Sequence, residues 1–503
     1  MKLSKKILPL VTNSREDFPA GSNFELPEKV LQFGTGVLLR GLPDYFINKA
    51  NRQQIFNGRI VVVKSTAQGA TDAFHEQDGM YTILEKGIVN GIDVNKKILN
   101  ASISRVLSAN DQWAEILNCS VSPALQVVIS NTTEVGISLL ESDATADIPL
   151  SFPGRLLQIL WKRYLHFNGA TDKGLVIIPT ELIVNNGSRL KEIILQLARI
   201  KGSPELFIDW LNEANDFCNS LVDCIVPGKL SSEEQKAVEK ELGYEDALMI
   251  MSEPYRLWAI ETDKPSTKKI LSFAKVDESV ILTGNIEKYR EIKLRLLNAT
   301  HTFSSGLAVL AGFKTVKEAM RDRLFEGYLQ QLMIGEIVPL VTGNTITKSE
   351  AMQFAAQVID RFKNPYIEHQ WLAITAQYTS KIQMRTVPLL QKHFQIFSGV
   401  PLNMALGIAA FIRFMQPDKN SANKHGGKYR EIHYPIQDDK AGLLAEKWLG
   451  GEIANCLQDS RIFGADLSVF PGLEASVNEF LQVLEEDSPL EAIRSILAKK
   501  TVA

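Results

Sequence analysis

The chain has 503 residues, with 55 Lys and Arg against 58 Asp and Glu, for a net charge of -3 with His neutral. Hydrophobic residues make up 45% and charged residues 22%, the mix of a folded globular protein and not of a disordered one. The charge balance argues against a dedicated nucleic-acid binder, and no apolar run approaches the ~20 residues that span a bilayer.

In chain order, residues 1–11 carry an apolar stretch broken by Pro9. It is too short for a secretory signal, so a cytoplasmic protein is expected. Residues 29–33 predict a short strand, running through Gly34-Thr35-Gly36-Val37-Leu38-Leu39-Arg40 into a helix. Residues 58–63, 125–130 and 174–179 predict further strands, apolar enough to be buried on both faces. Helical patterns intervene, for example at 111–117 and 155–164. Alternation of this kind predicts an α/β domain, a parallel sheet with helices on both faces, Rossmann-like in type. From Ile286 onward the periodicity is helical, with no convincing strand. The expected organisation is a Rossmann-like dinucleotide-binding domain with insertions over 1–280 and an α-helical substrate-binding, catalytic domain over 281–503. A charged, solvated helix is expected at 231–243 and a long surface loop at 418–439. Four scattered cysteines, Cys119, Cys218, Cys224 and Cys456, lack any Cys-x-x-Cys pair. Neither a disulfide scaffold nor a metal site is expected.

Gly34 and Gly36 are the first two glycines of the dinucleotide fingerprint, placed after a strand and before a helix; Leu39 replaces the third. Gly34 would permit the tight turn, and Gly36 would let a pyrophosphate approach the backbone. The second strand ends in Val63-Lys64-Ser65-Thr66, without the acid that usually bonds a ribose 2′-hydroxyl, which leaves NAD against NADP open. Ser130-Asn131-Thr132-Thr133-Glu134 and Thr180-Glu181, then Asn185-Asn186-Gly187, follow two other strand ends. Ligands of open α/β sheets bind there, although turn and cap chemistry favours the same residue types. The cofactor-binding candidates are Phe33, Gly34, Thr35, Gly36, Val37, Arg40, Ser130, Asn131, Thr132 and Glu134.

Lys293, Asn298 and His301 lie within one helical pattern. At ~100° per residue, Asn298 falls ~140° from Lys293 and His301 ~80° from it, with Lys293 and His301 ~12 Å apart along the axis. All three fit one face. A snorkelling Lys, a capping Asn and a satisfied His would fit it too.

The Lys-x4-Asn-x2-His pattern, the Gly-x-Gly-x3-Arg turn and a helical second domain together resemble the polyol-specific long-chain dehydrogenases, the mannitol dehydrogenase family. The stretches at 77–82, 130–137, 166–170 and 362–367, with Glu181-Leu182-Ile183 before Asn186-Gly187, are similar to its uronate-reducing branch. The resemblance covers about residues 28 to 440. It implies an oxidoreductase of hexuronate (galacturonate) catabolism. The implied reaction is reversible hydride transfer between NAD(H) and a linear sugar acid, D-tagaturonate to D-altronate. D-fructuronate or a neutral polyol are the alternative substrates, and a non-catalytic nucleotide-binding sensor is the remote alternative. By resemblance Lys293 is the acid/base, and Asn298 and Asn186 polarise the substrate oxygen. Asn185, adjacent, is a substrate-binding candidate, and His301 orients the substrate. Asp223 matches a family Val-Asp-Arg-Ile stretch in which Cys224 here replaces the arginine, and Lys381 is similar to a substrate-binding lysine. Lys381, Arg361 and Arg385 are candidates for the carboxylate, or the arginines form salt bridges; His433, His369 and Tyr366 are candidates for hydroxyls. The expected partner is a small molecule, with no nucleic acid and no membrane, and the chain a monomer or small homo-oligomer.

Overall fold

The structure, a computed structural model, describes residues 1–11, 19–65, 71–132, 136–418 and 426–502. They form two compact units, one of Met1–Lys86 with Asp93–Ile286, the other of Gly87–Ile92 with Glu287–Ala503.

The first unit is built on strands β1 (Glu28–Phe33), β2 (Arg59–Lys64), β3 (Tyr81–Val89), β4 (Ile92–Asn100), β5 (Ile103–Ser108), β6 (Val127–Ser130), β7 (Val176–Pro179), β8 (Asp216–Phe217), β9 (Ser220–Asp223), β10 (Ile250–Ser252), β11 (Leu257–Glu261) and β12 (Val280–Thr283). Its main sheet runs β5-β2-β1-β6-β7-β8, all parallel. In order of appearance that is 3-2-1-4-5-6, the doubly wound dinucleotide-binding order, with its switch point between β1 and β6. The strands are apolar on both faces because both faces are covered. Leu31, Phe33, Val61, Val63, Val128 and Ile177 share one core with residues of the helices Phe152–His166, Asn186–Ile200 and Glu205–Glu213. Val30, Ile60, Val62, Ile129 and Ile178 share another with the helix Pro43–Arg52 and with strands β9, β11 and β12. Ser151 starts the helix Phe152–His166 by accepting from the Gly154 N–H. The charged stretch after Ser231 is a helix, Ser232–Leu242, started by a Ser231–Glu234 capping box and stopped by Gly243 in the left-handed conformation.

Sequence patterning missed the β3–β4 pair and the three-stranded sheet β12-β11-β9. It also missed strands in the second unit, where β13 (Gly426–Tyr429) and β14 (Ile432–Pro435) pair antiparallel inside the stretch expected to be only loop. Apart from these and the Gly87–Ile92 end of the β3–β4 pair, the regular elements among the described residues of that unit are helices. Its centre is the helix Thr300–Leu310, buried along its whole length, against Leu402–Phe414, buried from Asn403 onward. Gly407 makes this possible, because a Cβ there would lie 2.8 Å from the Phe303 carbonyl oxygen. Among the described residues three segments wind as π-helix: Lys293–Ala299, Gln331–Ile337 and Ile382–Thr386. Among the described residues no helix is long and apolar enough to cross a membrane.

Candidate active site

In the first unit the glycine turn is sewn to both neighbours of β1. Gly34 N–H donates to Val63 O at 3.0 Å, and Asn131 N–H donates to Phe33 O at 3.1 Å. Gly34 has φ +130, and a Cβ there would meet Asn131 O at 3.0 Å, so the turn requires glycine. A Cβ on exposed Gly36 would meet nothing within 4 Å. That open backbone, at the switch point and at the start of the helix Val37–Gly41, fits the phosphates of a dinucleotide. Thr35 and Val37 are half-buried beside it.

Glu181 organises the next strand ends. Its buried carboxylate accepts Thr132 N–H at 2.9 Å, Thr132 Oγ1 at 3.0 Å and Ser130 Oγ at 3.1 Å, while Asn131 Nδ2 donates to Thr180 O at 3.2 Å. Burial pushes the Glu181 carboxyl up, against the pull of these donors. Sequence reading placed Thr180-Glu181 at a ligand-binding strand end but did not name Glu181 among the site residues, because its link to Ser130 and Thr132 spans about 50 residues. Glu134 lies outside the described residues.

Three expectations are corrected here. Arg40 is 7% exposed; it donates to Leu248 O at 2.6 Å and packs over the Phe74 and Tyr81 rings. Its guanidinium therefore belongs to the core beneath the turn, not to a phosphate. Phe33 is fully buried against Phe152, with ring centroids 4.9 Å apart, so only its backbone serves the turn. Asn186 is fully buried: Nδ2 faces the carbonyls of Pro179 (3.0 Å), Glu181 (3.0 Å) and Ser220 (3.1 Å), and Oδ1 accepts Gly187 N–H and Ser220 N–H, both at 2.9 Å. With its bonding capacity consumed by the backbone, it cannot polarise a substrate oxygen; it fixes the loop after β7. Asn185 beside it is exposed in the left-handed conformation, φ 55. Asp223 ends β9, paired with Leu257 and 8% exposed, and Cys224 Sγ lies 3.4 Å from Ser252 Oγ.

In the second unit, Lys293 opens the π-helix that ends just before His301. An α-helix places residues five apart on diverging directions, but i→i+5 closure brings them one above the other. Lys293 and Asn298 are thus neighbours on one face, and the ~140° separation expected for an α-helix is overturned. Both are half-buried. Arg295 does not face them in isolation: it bonds Glu291 at 2.8 Å and donates to the carbonyls of Met384 (3.0 Å) and Arg385 (2.9 Å). It ties this π turn to the one over Ile382–Thr386, directly after Lys381.

His301 is 7% exposed. Its ring stacks on Phe362 at 4.3 Å and meets His369 edge-on at 5.0 Å and Trp371 at 5.8 Å. Burial, then the charges of His369, Arg361, Arg385 and Lys381, holds it well below the usual imidazole range, so it is neutral. Its buried Nε2 has no hydrogen-bond partner among the described residues. Tyr378, unmarked by the sequence reading, inserts its hydroxyl into the same helix, donating to Thr302 O at 2.8 Å and accepting from Gly306 N–H at 3.0 Å. His433 stands apart, exposed on β14 with Asp418 at 3.8 Å, and Tyr366 is half-buried, its N–H donating to Asn364 Oδ1 at 3.0 Å. Among the described residues no group of three or more His, Cys, Asp or Glu is placed to hold a metal ion.

A 3-2-1-4-5-6 sheet with a glycine turn at its switch point, and a helical unit presenting Lys, Asn and His, define a Rossmann-type dehydrogenase. The model of the mannitol dehydrogenase Rossmann domain matches residues 28–271, and that of the mannitol dehydrogenase C-terminal domain matches 285–485. The chain belongs to the mannitol dehydrogenase family. It is 36% identical over 486 residues to an altronate oxidoreductase of Halalkalibacterium halodurans, covering 94% of each chain. To an altronate oxidoreductase of Escherichia coli it is 34% identical, covering 96% of this chain and 99% of that one. In fold it is similar to Pseudomonas fluorescens mannitol 2-dehydrogenase, solved as a ternary complex with NAD and D-mannitol. The TM-score is 0.70 at 22% identity, covering 99% of this chain and 100% of that one. It is likewise similar to a D-sorbitol dehydrogenase, with a TM-score of 0.77 at 20% identity, covering 98% and 100%.

Proposed function

We propose that this chain interconverts D-tagaturonate and D-altronate by NAD-linked hydride transfer, with Lys293 as the acid/base. The observation that carries the reading is the 36% identity to an altronate oxidoreductase across 94% of both chains. The open cradle at Gly36 and the strained Gly34 turn suit the cofactor's pyrophosphate, with Thr35, Val37, Ser130, Asn131 and Thr132 around it. When bound, the nicotinamide supplies or takes the hydride.

The residues of the chain do the rest. As the keto oxygen gains charge, the Asn298 amide donates a hydrogen bond to it, a role worth roughly 3–4 kcal/mol per donor. The Lys293 ammonium, its neighbour across the π turn, delivers the proton. Neutral His301 offers its unpartnered Nε2 to a substrate hydroxyl, and Lys381, Asp223 and Asn185 are the further substrate contacts. The pathway served is hexuronate catabolism, in the cytoplasm.

NADH and NADPH oxidation, each with D-tagaturonate and D-fructuronate, tests this. Fast NADH oxidation with tagaturonate is expected. Preference for fructuronate would move the chain to another branch of the family, and no oxidation with either would overturn the assignment.

A further inference from the structure

Glu181 is 3% exposed, and its carboxylate is held by neutral donors alone. Its oxygens accept from Thr132 N–H (2.9 Å), Thr132 Oγ1 (3.0 Å) and Ser130 Oγ (3.1 Å). No lysine, arginine or histidine among the described residues pairs with it. Three donors favour the ionised form, yet a carboxylate out of water still costs free energy that a cation would offset. Its backbone is fixed as well. Asn186 Nδ2 and Ile183 N–H both donate to Glu181 O, at 3.0 and 2.7 Å, and Thr180 N–H donates to Ser130 O at 2.8 Å. The place in the sheet is specific. Ser130 ends β6, beside Phe33 of β1 and Pro179 of β7, and Glu181 lies two residues past the end of β7. β1, β2 and β5 are the first mononucleotide-binding half of the doubly wound sheet, with the glycine turn after β1 and the ribose position after β2. That half takes the pyrophosphate and adenosine, so the nicotinamide falls to the carboxyl ends of the second half, β6 and β7. The ring is neutral in NADH and cationic in NAD+.

We propose that the Glu181 carboxylate is the counter-charge of the oxidised nicotinamide and sets the affinity of the chain for NAD+ relative to NADH. This rests on the reading that the chain is NAD-linked. Ser130 and Thr132 keep the carboxylate ionised and in place. The pyrophosphate, the adenine and both riboses are the same in the two forms, so contacts at the glycine turn cancel in the ratio of the two affinities. What remains is the charge of the ring, on which a buried anion acts with far less screening than it would in water.

The test measures dissociation constants for NAD+ and NADH by calorimetry, in the purified full chain and in Glu181→Gln and Glu181→Asp. A glutamine at 181 can accept from Thr132 N–H as the acid does, and its amide can donate to Ser130 Oγ, so the loop keeps its bonds without the charge. The ratio of the NAD+ to the NADH dissociation constant is expected to rise at least roughly fivefold in Glu181→Gln, the scale of one unit charge acting through protein. Weaker NAD+ binding should account for the rise, and Glu181→Asp, which keeps the charge, should recover part of it. A smaller rise would overturn the proposal even if both forms bound less well, because an acid that only holds the loop serves both alike. Should Glu181→Gln fail to fold, the parent decides. Benzamide adenine dinucleotide, the neutral carbon isostere of the oxidised cofactor, should bind it at least roughly fivefold more weakly than NAD+, and equal binding would overturn the proposal. If the parent binds neither NAD+ nor NADH, the cofactor reading itself fails and the proposal with it; binding of both with an unmoved ratio defeats the proposal alone.

Discussion

Asp44 is the second residue of the helix Pro43–Arg52, the next helix after the one that the glycine turn starts, and is fully buried. Burial raises its carboxyl to about 7, with Gln32, Tyr81 and the Arg40 charge pulling the other way. Tyr81 has one hydroxyl proton and two oxygens in reach, Arg40 O at 2.9 Å and Asp44 Oδ2 at 3.2 Å. A protonated Asp44 can donate to Tyr81 while Tyr81 donates to Arg40, which satisfies both. In an unfolded chain an aspartate titrates near ~3.9. Below that pH both states hold the proton and Asp44 costs nothing. Between ~4 and about 7 the unfolded state gives up its proton and the folded state keeps it, so stability falls as pH rises. Above that window both are ionised and the full cost stands, about three pK units or ~4 kcal/mol. Asp44→Asn is the same shape and never ionises. The variant should exceed the parent by ~4 kcal/mol at pH 8 but only ~1.5 kcal/mol at pH 5, a difference of about 2.5 kcal/mol between the two conditions. Urea titrations of both proteins at the two pH values, followed by fluorescence of the first unit's tryptophans, measure this. Other titrating groups cancel in the comparison. A gap between variant and parent that is the same at pH 5 and pH 8 would refute an elevated Asp44.

Lys293→Ala should lower kcat by ~10²–10⁴-fold while NADH affinity, followed by quenching of protein fluorescence, stays within about twofold of the parent; turnover above a tenth of the parent would remove the acid/base role. Asn298→Ala and Asn186→Ala should part company. The first is expected to lose ~100-fold in kcat with an unchanged melting temperature, the second to lose stability by ~2–4 kcal/mol because five backbone groups lose their partner. Steady-state rates beside melting curves separate the two, and a rate loss confined to Asn186→Ala would reverse the assignment. Tyr378→Phe strips the hydroxyl that fills the rung between Thr302 and Gly306. A loss of ~1–3 kcal/mol is expected, measured by urea midpoint, and no loss would mean that the helix closes its own rung.

Four strands of the main sheet were legible because a strand covered on both faces carries a run of β-branched and aliphatic residues, as β1, β2, β6 and β7 do. The glycine turn was legible because its geometry admits no other residue at Gly34. β4 was not: its burial falls mainly at the end, on Leu99 and Asn100, and so little apolar signal reaches the sequence. Long-range bonding hid the true place of Asn186, for the acceptor that ends its availability, Ser220, lies 34 residues away.

The π turns were hidden for a different reason, and that reason bears on the chemistry. Leu294, Leu296 and Leu297 would serve an α-helical face as well as a π-helical one, so the hydrophobic pattern alone does not register the wider turn. What registers it is the pair Lys293 and Asn298, five apart, meaningless as a pair in an α-helix and adjacent once the ladder closes i→i+5. Arg295 then fastens this turn to the second one through the Met384 and Arg385 carbonyls. Lys293 and Asn298 are thereby set by the same contact that fixes the backbone at Met384 and Arg385. Loss of Arg295 is expected to disturb both turns, which the Lys293 variant alone does not.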